Sequence, residues 1–183
     1  MEETTVTVIG MLIAAIIMFI VPLILIADTS DDIAELVVQT ATADFVSDVI
    51  KSGEITSDRY YNFVSNLNSS GNTYDIDIEV KILDENTSKL VTDNGGGIGN
   101  NTYYALFTSQ IEDKIRKSEE TENENNKVGR IILKQGDGIS VTVKNSSATF
   151  SQALKSAYYS AIGEDMHIIS ATASGTIAID GRT

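Results

Sequence analysis

The chain has 183 residues, with 26 acidic side chains against 13 Lys and Arg, a net charge of −13. It has no Cys and only one His. The acidity excludes a basic nucleic-acid footprint. The missing Cys excludes disulfides, thiolate metal sites and thiol nucleophiles, and any His base would have to be His167. This composition favours a structural or binding protein over an enzyme.

Thr4 to Ala27 is a run of 24 uncharged residues, of which sixteen are Val, Ile, Leu, Met or Phe. As a helix, rising about 1.5 Å per residue, it would be roughly 36 Å long and would cross a hydrocarbon core of about 30 Å. Its apolar residues sum to on the order of −5 kcal/mol on an insertion scale. Residues 1–27 are therefore expected to form a short tail and a transmembrane anchor, with Val6, Ile9, Leu12, Ile16, Phe19, Pro22 and Leu25 in contact with lipid. A cleaved signal peptide fits less well, because Glu2 and Glu3 replace the basic start and Leu25 stands where a small residue is wanted. Pro22 removes a backbone donor and is expected to kink or loosen the helix near Met18 to Pro22. No Lys or Arg precedes Lys51, so loop charge does not orient the anchor. Size favours a short cytoplasmic N-terminus and an extracytoplasmic domain beyond residue 28.

Residues 28–53 predict an amphipathic stalk helix, either continuous with the anchor or restarted at Asp28, Thr29 or Ser30. Ile33, Leu36, Val37, Val46, Val49 and Ile50, with Thr40, recur at roughly helical spacing and form its expected packing stripe. Gly53 ends it. Thr56-Ser57-Asp58 opens a second helix with Tyr60, Phe63, Val64 and Leu67 on one face, followed by a turn over 68–72. In the next stretch Ile76, Ile78, Val80 and Ile82 alternate with Asp75, Asp77, Glu79 and Lys81, predicting an antiparallel strand with one wet face. A glycine-containing loop over 84–101 leads to a helix expected over 102–117, with Tyr104, Phe107, Ile111 and Ile115 in register. The segment 119–127 is polar and is expected to be open. Residues 130–134 and 139–144 suggest a hairpin around Gly136-Asp137-Gly138. An amphipathic helix over 147–162 and a final strand over 166–179, interrupted at Gly175, complete an α+β head over 54–183 whose antiparallel sheet packs on helices.

Each polar cluster has a bland reading that outweighs the chemical one. Asp75, Asp77 and Glu79 read as a solvated strand face, since calcium sites draw their oxygens from loops. The Asp84 to Ser88 segment has Lys89 where a calcium loop needs Gly. Gly95 to Gly99 lacks the Lys and the spacing of a phosphate loop. His167 reads as an ordinary surface or edge residue. Six of the seven tyrosines form adjacent pairs, 60–61, 103–104 and 158–159, each placed on a helix so that one ring faces the core and the other its rim. Asn68, Asn86, Asn100 and Asn145 begin sequons of the kind that chance supplies in a chain rich in Asn, Ser and Thr. No catalytic, cofactor-binding or metal-ligating residue is assigned, and no cofactor, nucleic acid or small-molecule substrate is expected.

An apolar N-terminal helix that continues as an amphipathic stalk into an α+β head resembles the type IV pilin-like proteins. The uncharged start VTVIGMLIAAIIMFIVPLIL, with its proline about twenty residues in, is similar to the pilin N-terminal helix. Residues 45–85, FVSDVIKSGEITSDRYYNFVSNLNSSGNTYDIDIEVKILDE, resemble small membrane-anchored proteins of tight-adherence (Tad, Flp-type) pilus or secretion clusters in Gram-positive bacteria. The pilin class carries a basic leader and a Glu five residues into the mature chain, a position that holds Thr5 when counted from Met1. The resemblance therefore implies either a non-processed relative or one outside the leader rule, and a membrane-resident accessory protein or minor pseudopilin over a filament subunit, whose partners are membrane lipid, pilin-like or secretion-apparatus proteins and possibly itself. A second expectation is an anchored extracytoplasmic binding or sensor domain unrelated to pili.

Overall fold

The computed structural model describes residues 2–83, 103–122, 129–147, 156 and 168–181. Helix α1 (Glu2–Ser52) is followed by β1 (Glu54–Thr56), α2 (Ser57–Asn68), β2 (Tyr74–Leu83), β3 (Tyr103–Phe107), α3 (Thr108–Glu122), β4 (Arg130–Ile132), β5 (Gly138–Asn145) and β6 (Ser170–Thr176). A long apolar helix thus leads into a small α+β head, with antiparallel sheets packed on helices.

α1 runs without a break through Pro22 and through Asp28 to Ser30, so anchor and stalk are one helix. Two of its hydroxyls bond back along the helix: Thr29 Oγ1 donates to the Leu25 carbonyl at 2.9 Å and Thr42 Oγ1 to that of Val38 at 2.6 Å. The helix stops at Gly53, whose φ of 67° is left-handed and whose N–H reaches the Val49 carbonyl at 2.8 Å. A Cβ there would lie 2.5 Å from the Ile179 carbonyl oxygen, so the crossing of the two backbones also demands glycine.

The chain then enters β1, a strand that the sequence patterning does not reveal. It pairs antiparallel with β4, Ile55 opposite Ile131, in a two-stranded sheet. Thr56 caps α2 by accepting from the Arg59 N–H at 3.3 Å, and Asp58 lies in the favourable first turn. α2 buries Tyr60, Phe63 and Leu67, with the Phe63 ring stacked on Phe45 of α1 at 4.5 Å.

The main sheet has the order β3-β2-β5-β6, antiparallel throughout. Ile78 and Val80 of β2, Val141 and Ile139 of β5, and Leu106 of β3 share its inner face and are buried. The wet face carries Asp75 and Asp77, both exposed, with Thr142 and Thr172 side by side across β5 and β6, their hydroxyls 3.2 Å apart. α1 lies against β6 and β5, and α3 against β2 and β3. One core joins all of these elements, from Ala34 and Val38 of α1 to Ile177 after β6.

Three expectations are corrected. First, the helix expected over 102–117 begins only at Thr108. Tyr103 to Phe107 forms β3, because aromatic and aliphatic residues supply strand propensity and the edge of β2 offers a ladder. Thr108 makes the switch: its Oγ1 accepts from the Ile78 N–H at 2.7 Å, continuing the ladder with a side chain where the backbone turns into helix. Ile111 and Ile115 are buried as expected. Second, β4 and β5 do not form a hairpin: β4 pairs with β1, and β5 with β2 and β6. The buried Asp137 carboxylate holds the connection by accepting from Leu83 N–H at 2.9 Å and Lys134 N–H at 2.8 Å. Third, β6 is not interrupted at Gly175, which pairs with Ile139 in register. The inward positions of β6, Ala171, Ala173 and Gly175, are small because α1 lies against that strand, and a Cβ on Gly175 would collide with the Ile50 side chain.

Candidate functional site

The feature that sets this molecule apart is α1, whose two halves meet different surroundings. From Thr4 to Val21 every side chain is exposed, hydrophobic or not. The residues assigned to the anchor share this: Val6, Ile9, Leu12, Ile16, Phe19, Pro22 and Leu25 are all exposed, Phe19 by 73%. This segment is long and apolar enough to span a membrane. In water, so much apolar surface would cost about 25 cal/mol for every Å².

The second half is built into the head. Ala34, Val38, Thr42, Phe45, Val46 and Val49 are buried on one side of the helix, and Ile50 and Ala41 pack beside them. The stripe expected from the sequence is therefore divided. Val46, Val49 and Ile50 face the head, Val37 is half-buried at the flank, and Ile33 and Leu36 are 59% and 64% exposed on the far side, as is Thr40. The second half of the helix is thus shared between the head's core and an outward face. Ala34, Val38 and Phe45 lie outside the expected stripe, although with Thr42 and Val49 they form an i, i+4, i+8, i+11, i+15 series that fits a helical face equally well.

The polar clusters assemble no catalytic set among the described residues. No group of three His, Asp or Glu is placed to hold a metal ion there. Glu79 sits 3.7 Å from Lys81 on the wet strand face. An open cleft of about 380 Å³ between α2 and α3 is lined by Tyr60, Tyr61, Glu112, Asp113 and Arg116. Tyr60 donates its hydroxyl to the Glu112 carboxylate. Burial first, and then that hydrogen bond and the Glu112 charge, push the Tyr60 phenol well above its ordinary range, so it stays protonated and is no base. Asp113 is held below the usual carboxylate range by hydrogen bonds from Lys117 and Arg116, an exposed local cluster.

Of the tyrosine pairs, Tyr60 and Tyr61 divide as expected into core and rim, their rings edge to face at 5.7 Å. Tyr103 and Tyr104 lie on a strand instead of a helix and are both exposed. Asn68 is exposed at the end of α2, and the Asn145 side chain accepts from the Ser147 N–H at 3.2 Å. Tyr158-Tyr159, His167, Asn86, Asn100, the Asp84 to Ser88 segment, the Gly95 to Gly99 run and most of the helix expected over 147–162 lie outside the described residues.

The arrangement can pack and anchor: one helix offers an all-round apolar surface in its first half and a second, outward apolar face beyond it. Comparison with protein-family models, curated proteins and solved structures gives no match.

Proposed function

We propose that this chain is a single-pass, membrane-anchored, pilin-like structural or accessory protein of a pilus or secretion apparatus, acting by helix packing and head contacts and not by catalysis. The observation that carries the reading is the continuity of α1. A helix of 51 residues leaves the apolar side chains from Thr4 to Leu23 exposed while its second half is part of the head's core. Such a helix transmits position from bilayer to head without a flexible joint, which suits a part that must be held at a fixed height among neighbours. The head lies on the extracytoplasmic side, with the short N-terminal tail in the cytoplasm. The likeness of residues 6–25 and 45–85 to pilin-like and tight-adherence proteins supports the apparatus, and the acidic head surface supports solubility outside the bilayer.

The test has two arms. The full chain is expected to stay with membranes through a high-pH wash; its release would refute the anchor. Deletion of the chain from its host is expected to abolish surface filaments or secretion while cell growth persists. Unchanged filaments and unchanged secretion would refute the apparatus.

A further inference from the structure

Beyond Ala27 the side of α1 opposite the head still carries exposed apolar residues, although this part of the helix is acidic. Ile26, Ile33 and Leu36 are exposed by 68%, 59% and 64%. At about 100° per residue, Thr29, Leu36 and Thr40 lie roughly 160–180° round the helix from Val38, the residue buried against the head. Lipid does not account for this face. The uncharged run is already about 36 Å long against a hydrocarbon core of about 30 Å. Leu36 lies roughly 13 Å further along the axis, and a tilt of about 20° across a helix about 10 Å wide lowers one side by only about 4 Å.

The spacing of the face is that of a two-stranded seam. Ile26, Ile33 and Thr40 repeat every seven residues, and Thr29, Leu36 and Ala43 interleave three residues after each. No charge occurs at any of these six positions, although Asp28, Asp31, Asp32 and Glu35 fall within the same stretch. In the middle heptad Ile33 and Leu36 put a β-branched residue at the first position and Leu at the second, a pairing that favours two parallel strands over three or four. The flanks are compatible with an identical partner. In a parallel pair, Asp32 would meet Val37 of the other copy, and Gln39 would meet Asp44, so no carboxylate faces a carboxylate across the seam. The head is no obstacle, since it packs on the opposite side of the helix.

From this we infer that the outward face of α1 between Ile26 and Ala43 docks a second copy of this chain, parallel and in register, as a two-stranded coiled coil. The inference rests on the membrane-anchored reading above, because a shared bilayer gives both helices the same direction and height.

The chain lacks Cys, so single cysteines report unambiguously. Full-length Ile33→Cys, Leu36→Cys, Thr40→Cys, Asp48→Cys and Ser65→Cys variants would be oxidised in native membranes and resolved by non-reducing electrophoresis. All five positions are exposed, so folding is preserved. Disulfide-linked dimers are expected at 33, 36 and 40, with only background at 48 and 65. Uniform linking at all five positions, or none at the seam, overturns the inference. So does protection of Ile33→Cys and Leu36→Cys from a water-soluble maleimide without dimer formation, which would assign the face to lipid or to another protein. The same samples are washed at high pH. Retention without seam cross-links removes the paired helix and leaves the anchor standing, whereas release removes the anchor and the cross-links still decide the seam.

Discussion

The two halves of α1 belong to one unbroken helix but differ in what covers them. Thr4 to Ala27 is rich in Ile, Leu and Val and exposes nearly all of them, Ala27 itself being buried. From Asp28 onward the helix carries fewer large apolar residues, yet Val38 and Val49 are completely buried. Burial here follows position round the helix and not hydrophobicity: Leu36 is 64% exposed and Val38, two residues on, is 0% exposed. A long helix can thus serve two environments at one height, one face belonging to the head and the other left for a neighbour.

The same charge placed on each face should have opposite consequences. Val38→Asp puts a carboxylate with no partner into the core, at a cost of about 3–5 kcal/mol or protonation of the acid. Thermal unfolding of the full chain in detergent, followed by circular dichroism, is expected to lose its cooperative transition or shift it far down. Leu36→Asp is expected to leave that transition within about 0.5 kcal/mol of the parent, as for other surface substitutions, while abolishing seam cross-links. Equal destabilisation by the two would mean that the faces are not distinct.

A smaller effect is expected where the helix hands over to the head. Gly53→Ala must hold a left-handed φ and fit a Cβ 2.5 Å from the backbone of Ile179 and Gly181. Strain of about 1–3 kcal/mol follows, read as a lower urea midpoint with an unchanged slope. Parent-like stability would show that the close crossing at 53 and 181 is not needed.

The smallest effect lies wholly within the head. Tyr60→Phe loses the hydrogen bond to Glu112 and is expected to cost about 1 kcal/mol. The native state holds the Tyr60 proton more tightly than the unfolded chain, whose value is near 10.0. Its contribution is therefore full below pH 10 and is lost as pH rises through the higher native value. Tyr60→Phe should flatten the alkaline limb of the stability profile and leave membrane retention unchanged. An alkaline limb equal to the parent's would remove Tyr60 from that role.

Much was legible along the chain. The anchor-length run, the capped helix at Thr56 and the alternating strand at Tyr74 are local patterns, set by hydrophobic period and by side chains that bond their own backbone, and the structure has them at the expected residues. The strands Glu54–Thr56 and Tyr103–Phe107 were not legible, because three or five residues carry too little periodicity and pair with segments far away in the chain. The supposed hairpin failed for a related reason: Gly136-Asp137-Gly138 has turn chemistry, but Asp137 spends its carboxylate on Leu83, from another strand.

Composition and local period suffice for the class of object: an uncharged helix of spanning length, an acidic α+β head and no thiol chemistry. Each depends only on composition and on periods of two or 3.6 residues, which short-range sterics impose. Long-range packing selects which apolar residues are used up. Ile33, Leu36, Val46 and Val49 look alike in a helical pattern, and the docking of β6 on α1 buries the last two and leaves the first two outside. Gly175 shows the same logic: along the chain it reads as a break, and in the fold it makes the room that lets Ile50 and the helix come down onto the sheet. Faces are chosen by contacts distant in sequence, and a one-dimensional pattern carries no record of them.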